Sequence, residues 1–240
     1  MSILNDLVAG IGRLLYPERC PVCGGEMRPG DHVVCTRCRY EVPLTGFCDK
    51  SYNPLWERLS AHLPIEQASA FLYFLPGSGW RGLIHRFKYF EAWRLARDMG
   101  VWYGHCLRES PLYASVDRIV AVPLHWRKRL ARGYNQAEYL ADGIARSLEV
   151  PVERRCLRRI RNNPSQTHRR REERWDNVEG IFTVKHPERL KGRHLLLVDD
   201  VLTTGATLLS CAEAILRAVP DCRLSIAVLA VPEHEFGLDR

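Results

Sequence analysis

Read as alternating apolar and polar stretches, the chain falls into two unequal parts. Ile3, Leu4, Leu7, Val8, Ile11, Leu14 and Leu15 recur at helical spacing, which predicts an amphipathic helix over the first sixteen residues. A short, loop-rich segment follows with little apolar material to form a core. Asn53–Pro64 reads as a linker because its Asn-Pro and Leu-Pro steps disfavour helix at the preceding residue. Beyond it the pattern alternates. Ala68–Leu75 reads as a strand, Trp80–Phe90 and Ala92–Arg108 as helices, and Arg118–Pro123 as a β-branched strand ending in a loop. Asn135–Leu148 reads as a helix, Gly180–Val184 and His194–Val198 as strands, Thr207–Val219 as a helix and Arg223–Val231 as a last strand. Fully apolar strands alternating with helices predict an α/β fold, a parallel sheet covered on both faces.

Length supports this division. The 240 residues suffice for one substantial domain and a small appendage. The expected boundaries are residues 1–50 for the amphipathic helix and cysteine-rich module, 51–66 for the linker and 67–240 for the α/β domain. At 46% hydrophobic and 26% charged, the composition is that of an ordinary globular protein. No apolar run approaches the ~20 residues needed to cross a bilayer. The leading helix lacks the basic start and unbroken apolar stretch of a signal peptide, so a cytoplasmic location is expected.

Nine cysteines change the picture of the small part. Five of them, Cys20, Cys23, Cys35, Cys38 and Cys48, fall in the first fifth of the chain, and the first four form C-x2-C-x11-C-x2-C. Two such knuckles offer four thiolates to one tetrahedral ion, which predicts a closed structural zinc site. An iron–sulfur cluster could use the same four thiolates. Cys48 is left over from the set.

The net charge of +7 is concentrated. Between Glu153 and Arg174 stand nine arginines against three glutamates, and no lysine. Guanidinium forks match phosphate oxygens, so this stretch suggests phosphate recognition, a solvated basic loop being the alternative.

The sharpest chemistry lies after the apolar run His194–Val198. In an open α/β sheet ligands bind beyond the carboxyl ends of strands, and here that position holds Asp199, Asp200, Val201, Leu202, Thr203, Thr204, Gly205, Ala206 and Thr207. Two adjacent carboxylates can accept the hydrogen bonds of a ribose diol. Three threonine hydroxyls, a glycine turn and the opening amides of a helix make a phosphate cradle. Neither the G-x-x-x-x-G-K-[ST] of a nucleoside-triphosphate loop nor the G-x-G-x-x-G dinucleotide fingerprint occurs, which narrows the ligand to a ribose phosphate.

This run, LLLVDDVLTTGATL, resembles the phosphoribosyl-pyrophosphate loop of type I phosphoribosyltransferases. Val122–Gln136 (VPLHWRKRLARGYNQ), Gln166–Val178 (QTHRRREERWDNV), Leu83–Tyr89 (LIHRFKY) and the cysteine module together resemble the ComF family of competence and GntX-like proteins. The resemblance implies that Asp199 and Asp200 hold the ribose hydroxyls, and that Thr203, Thr204, Gly205, Ala206 and Thr207 hold the 5-phosphate. It places the pyrophosphate over a loop carrying Arg127, Lys128, Arg129 and Arg132, with Mg²⁺ bridging phosphate and ribose oxygens. His168–Arg174, with Arg169, Arg170 and Arg171, becomes a flap over the ligand. Asn135 is either a helix cap or a ligand contact, and Lys88 and Tyr89 are further lining positions. The implied role is accessory to DNA uptake, with phosphoribosyl pyrophosphate and single-stranded DNA as ligands and a helicase or other DNA-processing protein as partner. Exposed aromatics such as Trp126 and Trp175 suit a single strand. An active phosphoribosyltransferase with an unidentified acceptor is the alternative, and no recognition helix for duplex DNA is visible.

Overall fold

The structure, a computed structural model, describes residues 18–87, 92–160 and 181–237. The N-terminal amphipathic helix, Lys88, Tyr89, the stretch around Arg169, Arg170 and Arg171, and Trp175 lie outside the described residues.

Four parallel strands form the main sheet: β1 (Ala68–Phe74), β2 (Arg118–Ala121), β5 (His194–Val201) and β6 (Arg223–Pro232), in the spatial order β1-β6-β5-β2. The two inner strands are the most continuously apolar, as strands covered on both faces must be. Alternation along them sorts the core. Leu195, Leu197, Ile226 and Val228 enter one apolar cluster, while Leu196, Val198, Ala227 and Leu229 enter the other. The first face is covered by α2 (Pro54–Ser60), α7 (Ala206–Ala218) and a hairpin of β3 (Leu157–Arg159) with β4 (Phe182–Val184). The second is covered by α3 (Gly79–Arg86), α4 (Trp93–Glu109), α6 (Gln136–Leu148) and the cysteine module, which contains the short helix α1 (Thr36–Tyr40). A seven-residue helix, α5 (Trp126–Arg132), follows β2, and α8 (Glu233–Phe236) follows β6.

Several elements differ from the sequence reading: β3 is unexpected, and β4 pairs antiparallel with it outside the main sheet. The stretch read as a linker contains α2, whose Leu55 and Leu59 are fully buried. Asn53 is its cap: Oδ1 accepts from the amides of Leu55 and Trp56 at 3.1 and 3.0 Å, and Pro54 fills the first helical position. The Asn-Pro step is therefore a helix start. The expected loop carrying Arg127 to Arg132 is helical, stopped by Gly133 in the left-handed region at φ 81°. Finally, β5 runs three residues further than expected, so Asp199 and Asp200 belong to the strand end, with Val201 still paired to Ala230.

His194 opens β5 inside the core, 2% exposed, with Nδ1 2.8 Å from the Ser115 hydroxyl and Nε2 2.8 Å from that of Ser225. Burial, and secondarily the nearby Arg223 charge, pushes its pKa below 6.5. A depressed histidine contributes its stability above the unfolded pKa, and that contribution falls as pH drops through 6.5 towards the folded value. The melting temperature should decline between pH 7.5 and 5, less steeply in His194→Gln. Identical slopes in a pH series of thermal melts would refute the assignment.

Candidate phosphate and ribose site with a four-cysteine zinc centre

The end of β5, its following turn and the start of α7 form one wall of a cleft of about 200 Å³. Asp199, Asp200, Thr203, Thr204, Gly205 and Thr207 all line it; Ala206 is outside the lining. Gly205 adopts φ 79°, a conformation that costs other residues roughly 1 kcal/mol, and so turns the chain into α7. Its carbonyl accepts the first intrahelical bond, from the Leu209 amide at 2.9 Å, and no side chain caps the helix. The opening amides of α7 thus remain available to an anion.

The acid pair has its own order. The Asp200 amide donates to Asp199 Oδ1 at 2.9 Å, and the Val201 amide donates to Asp200 Oδ1 at 2.7 Å, which fixes both carboxylates at the strand end. Desolvation at the sheet, then the neighbouring Asp200 charge, pushes the Asp199 carboxyl well above the ordinary carboxylate range. A ligand that supplies hydroxyl donors or a cation here would relieve that repulsion.

The opposite wall is cationic. Lys128 and Arg132, four residues apart on α5, share a helix face and line the cleft. Arg127 and Arg129 do not line it. Arg127 lies 5.3 Å from the Trp126 ring centroid, and Arg129 pairs with Glu138 at 3.0 Å. Once the segment is a helix, its 3.6-residue period separates four cations that a loop reading groups together.

Sequence reasoning missed three contributors. Arg159, counted only within the arginine stretch, comes from β3 and lines the cleft. Burial lowers its pKa, with the Cys211 thiol and Asp199 carboxyl opposing. Gln136 opens α6 beside the cleft; its Nε2 is buried with no hydrogen-bond partner, an orphan donor of the kind a ligand oxygen satisfies. Arg58, on the helix hidden in the supposed linker, donates to the Thr204 carbonyl at 3.5 Å and pairs with Glu235 at 2.6 Å, bracing the turn from outside the cleft. Asn135 acts as a cap, accepting from the Ala137 amide at 3.3 Å, and ties α6 to β2 by donating to the Val122 carbonyl at 3.0 Å. It also lines the cleft.

In the cysteine module the Sγ atoms of Cys20, Cys23, Cys35 and Cys38 lie within 4.8 Å of one another. Left-handed Gly24 (φ 73°) closes the first knuckle, and the Cys35 amide donates to Cys20 Sγ at 3.4 Å. Four convergent thiolates and no competing donor fit a structural zinc ion. Among the described residues no second such cluster occurs, and Cys48 is not part of this one. The rest of the module is held by hydrogen bonds: Thr45 Oγ1 donates to the Ala70 carbonyl, Asn53 Nδ2 to the Lys50 and Ala68 carbonyls at 2.9 Å each, and Ser110 Oγ to the Cys48 carbonyl at 2.7 Å.

No described helix is long and apolar enough to cross a membrane. Residues 135–237 match the phosphoribosyl transferase domain family, and residues 11–63 match the double zinc ribbon domain family. The chain is 30% identical over 202 residues to the DNA utilization protein YhgH of Escherichia coli (strain K12), spanning 82% of this chain and 84% of that one. It is 36% identical over 203 residues to the YhgH protein of Salmonella typhi, spanning 82% and 78%. It is also 25% identical over 212 residues to competence protein F of Haemophilus influenzae (strain ATCC 51907 / DSM 11121 / KW20 / Rd), spanning 79% and 87%. A parallel sheet with an acid pair at the end of β5, joined to a four-cysteine module and matched along most of its length by these relatives, places the chain in the ComF family of phosphoribosyltransferase-domain proteins.

Proposed function

We propose that the chain binds phosphoribosyl pyrophosphate with Mg²⁺ in the β5–α7 cleft and handles single-stranded DNA as an accessory to DNA uptake. One observation carries the ligand reading: a carboxylate pair, an uncapped helix N-terminus and three cations, Lys128, Arg132 and Arg159, meet in one cleft. Asp199 and Asp200 accept from the ribose hydroxyls, Thr203 to Thr207 cradle the 5-phosphate, and Lys128, Arg132 and Arg159 face the pyrophosphate. Arg169, Arg170 and Arg171 are the candidate flap residues for the same ligand, whereas Arg127 and Arg129 lie off the cleft lining. Asp199 and Asp200 would orient the ribose diol, and a Mg²⁺ ion brought by the ligand would supply charge neutralisation to its phosphates. The DNA part rests on the names of the relatives, a DNA utilization protein and a competence protein, together with the arginine-rich chemistry of the chain. A helicase or another DNA-processing protein would be its partner in that work.

Calorimetric titration tests the ligand reading. Binding of phosphoribosyl pyrophosphate should require Mg²⁺ and be lost in Asp199→Asn with Asp200→Asn. That variant relieves a desolvated, mutually repelling pair, so it should remain folded and the loss should report the site. Absence of binding to the zinc-loaded wild type would sink the proposal.

A second reading, a phosphoribosyltransferase acting on an unidentified acceptor, is favoured by the three cations that line the cleft. There the anomeric C–O bond breaks as the acceptor's lone pair forms the new bond, and pyrophosphate leaves into the cationic wall. Acceptor-dependent pyrophosphate release distinguishes it.

A further inference from the structure

Helix α5 buries none of its seven residues, yet it carries a tryptophan and a leucine one turn apart. Trp126 is 58% and Leu130 74% exposed. The ring is nonetheless held. His125, immediately before it, is buried; its Nδ1 accepts from the Arg127 amide at 3.3 Å, and its ring lies 5.7 Å from that of Trp126. The Arg127 guanidinium lies over the indole at 5.3 Å. Four cations and no acid occupy Trp126–Arg132, two on the cleft face and two elsewhere on the helix.

We propose that the outer face of α5 is a docking surface for single-stranded nucleic acid, with Trp126 stacking on one unpaired base and Arg127 meeting a flanking phosphate. The inference rests on the DNA-handling reading and gives it a location. A preoriented, solvent-facing indole beside guanidinium groups is the combination by which proteins bind single strands without sequence preference. A duplex offers no free base face to such a ring. Cores of protein interfaces are depleted of charge, whereas here the exposed indole carries the Arg127 guanidinium over its face. Two apolar side chains on so short a helix give little area to sink into a lipid interface.

Fluorescence anisotropy of a labelled oligothymidylate, measured across a salt series, tests this. Trp126→Ala should weaken binding about tenfold, while Trp126→Phe stays within about threefold, because an aromatic face is retained. The Trp126→Ala salt slope should be unchanged, whereas Arg127→Ala should reduce it by about 0.7, one phosphate on a single strand. Tyr52→Ala, which removes an aromatic of 80% exposure in the module, should change neither. Calorimetry with phosphoribosyl pyrophosphate and Mg²⁺ should be the same for Trp126→Ala as for wild type, showing an intact cleft. Failure of the wild type to bind the oligonucleotide overturns the DNA-handling reading and this surface together. Wild-type binding that Trp126→Ala leaves intact overturns the surface alone.

Discussion

Removing zinc from the folded chain, by chelation or by Cys20→Ser with Cys38→Ser, is expected to unfold the cysteine module and expose the face of the domain on which it sits. Structural zinc in small modules binds with on the order of 10 kcal/mol, and that energy is folding energy where the segment has little core of its own. Here the ligands are also part of the domain's packing. Cys20, Val34 and Cys38 belong to the same buried cluster as Phe71 and Trp80. Val22 runs so close to α3 that a Cβ at Gly79 would lie 2.1 Å from its carbonyl oxygen. Arg39 lies 5.5 Å from the Trp102 ring centroid, and Trp102 in turn packs edge-on against Phe71 at 5.3 Å. Tryptophan emission should therefore shift to the red and the melting temperature should fall on metal loss, while far-UV dichroism from the sheet and α6 largely persists. Metal analysis should find one zinc per chain, since hydrogen bonds from Thr45, Asn53 and Ser110 hold the second half of the module. Native emission and melting in the stripped protein would show the thiols to be dispensable; two zinc ions would reveal ligands beyond these four.

The turn from Asp199 to Thr207 and the four-cysteine cluster are legible in the sequence because each is local, written in consecutive residues or in C-x2-C pairs. The parallel sheet is legible for a related reason, since strands buried on both faces must be continuously apolar. The rest of the cleft depends on pairings that a linear reading does not show. Arg159 reaches it only because Leu157–Arg159 pairs with Phe182–Val184, and Arg58 reaches Thr204 across 146 residues. Helix α5 hides because it buries nothing, leaving no amphipathic stripe pointed at a core. Helix α2 hides behind Asn53-Pro54, where the same two residues that break a chain also begin a helix. Gln136 looks like an ordinary helix entrance until the residue is found lining the cleft.

Gly143→Ala is expected to be among the most destabilising single-methyl changes in the domain, although alanine favours helix over glycine by ~1 kcal/mol. The reason is the approach of α6 to α4. A Cβ on Gly143 would lie 2.0 Å from the Arg97 carbonyl oxygen, 2.6 Å from the Val101 nitrogen and 2.7 Å from the Gly100 carbonyl carbon. All three are backbone atoms, so no rotamer change can make room, and the helices must part. Gly100 and Gly104 face the same contact from the other side: a Cβ on Gly100 would lie 2.3 Å from the Leu140 carbonyl oxygen, and one on Gly104 2.7 Å from Ser147 Cβ. Overpacking of a rigid contact typically costs about 1–3 kcal/mol, and a clash with three backbone atoms lies at the upper end; with the ~1 kcal/mol propensity gain subtracted, a net loss of roughly 2 kcal/mol is expected, or about 4–8 °C in melting temperature. Gly82→Ala on α3, where nothing lies within 4 Å of the new methyl, should instead be neutral or stabilising. The displacement should also reach the cleft, because α6 begins at Asn135 and Gln136 and is tied to β2 through the Val122 carbonyl. Ligand affinity should therefore fall in Gly143→Ala but not in Gly82→Ala. Thermal melts and calorimetry on the two variants decide the matter: equal stability of Gly143→Ala and wild type would mean that α4 and α6 do not touch backbone to backbone.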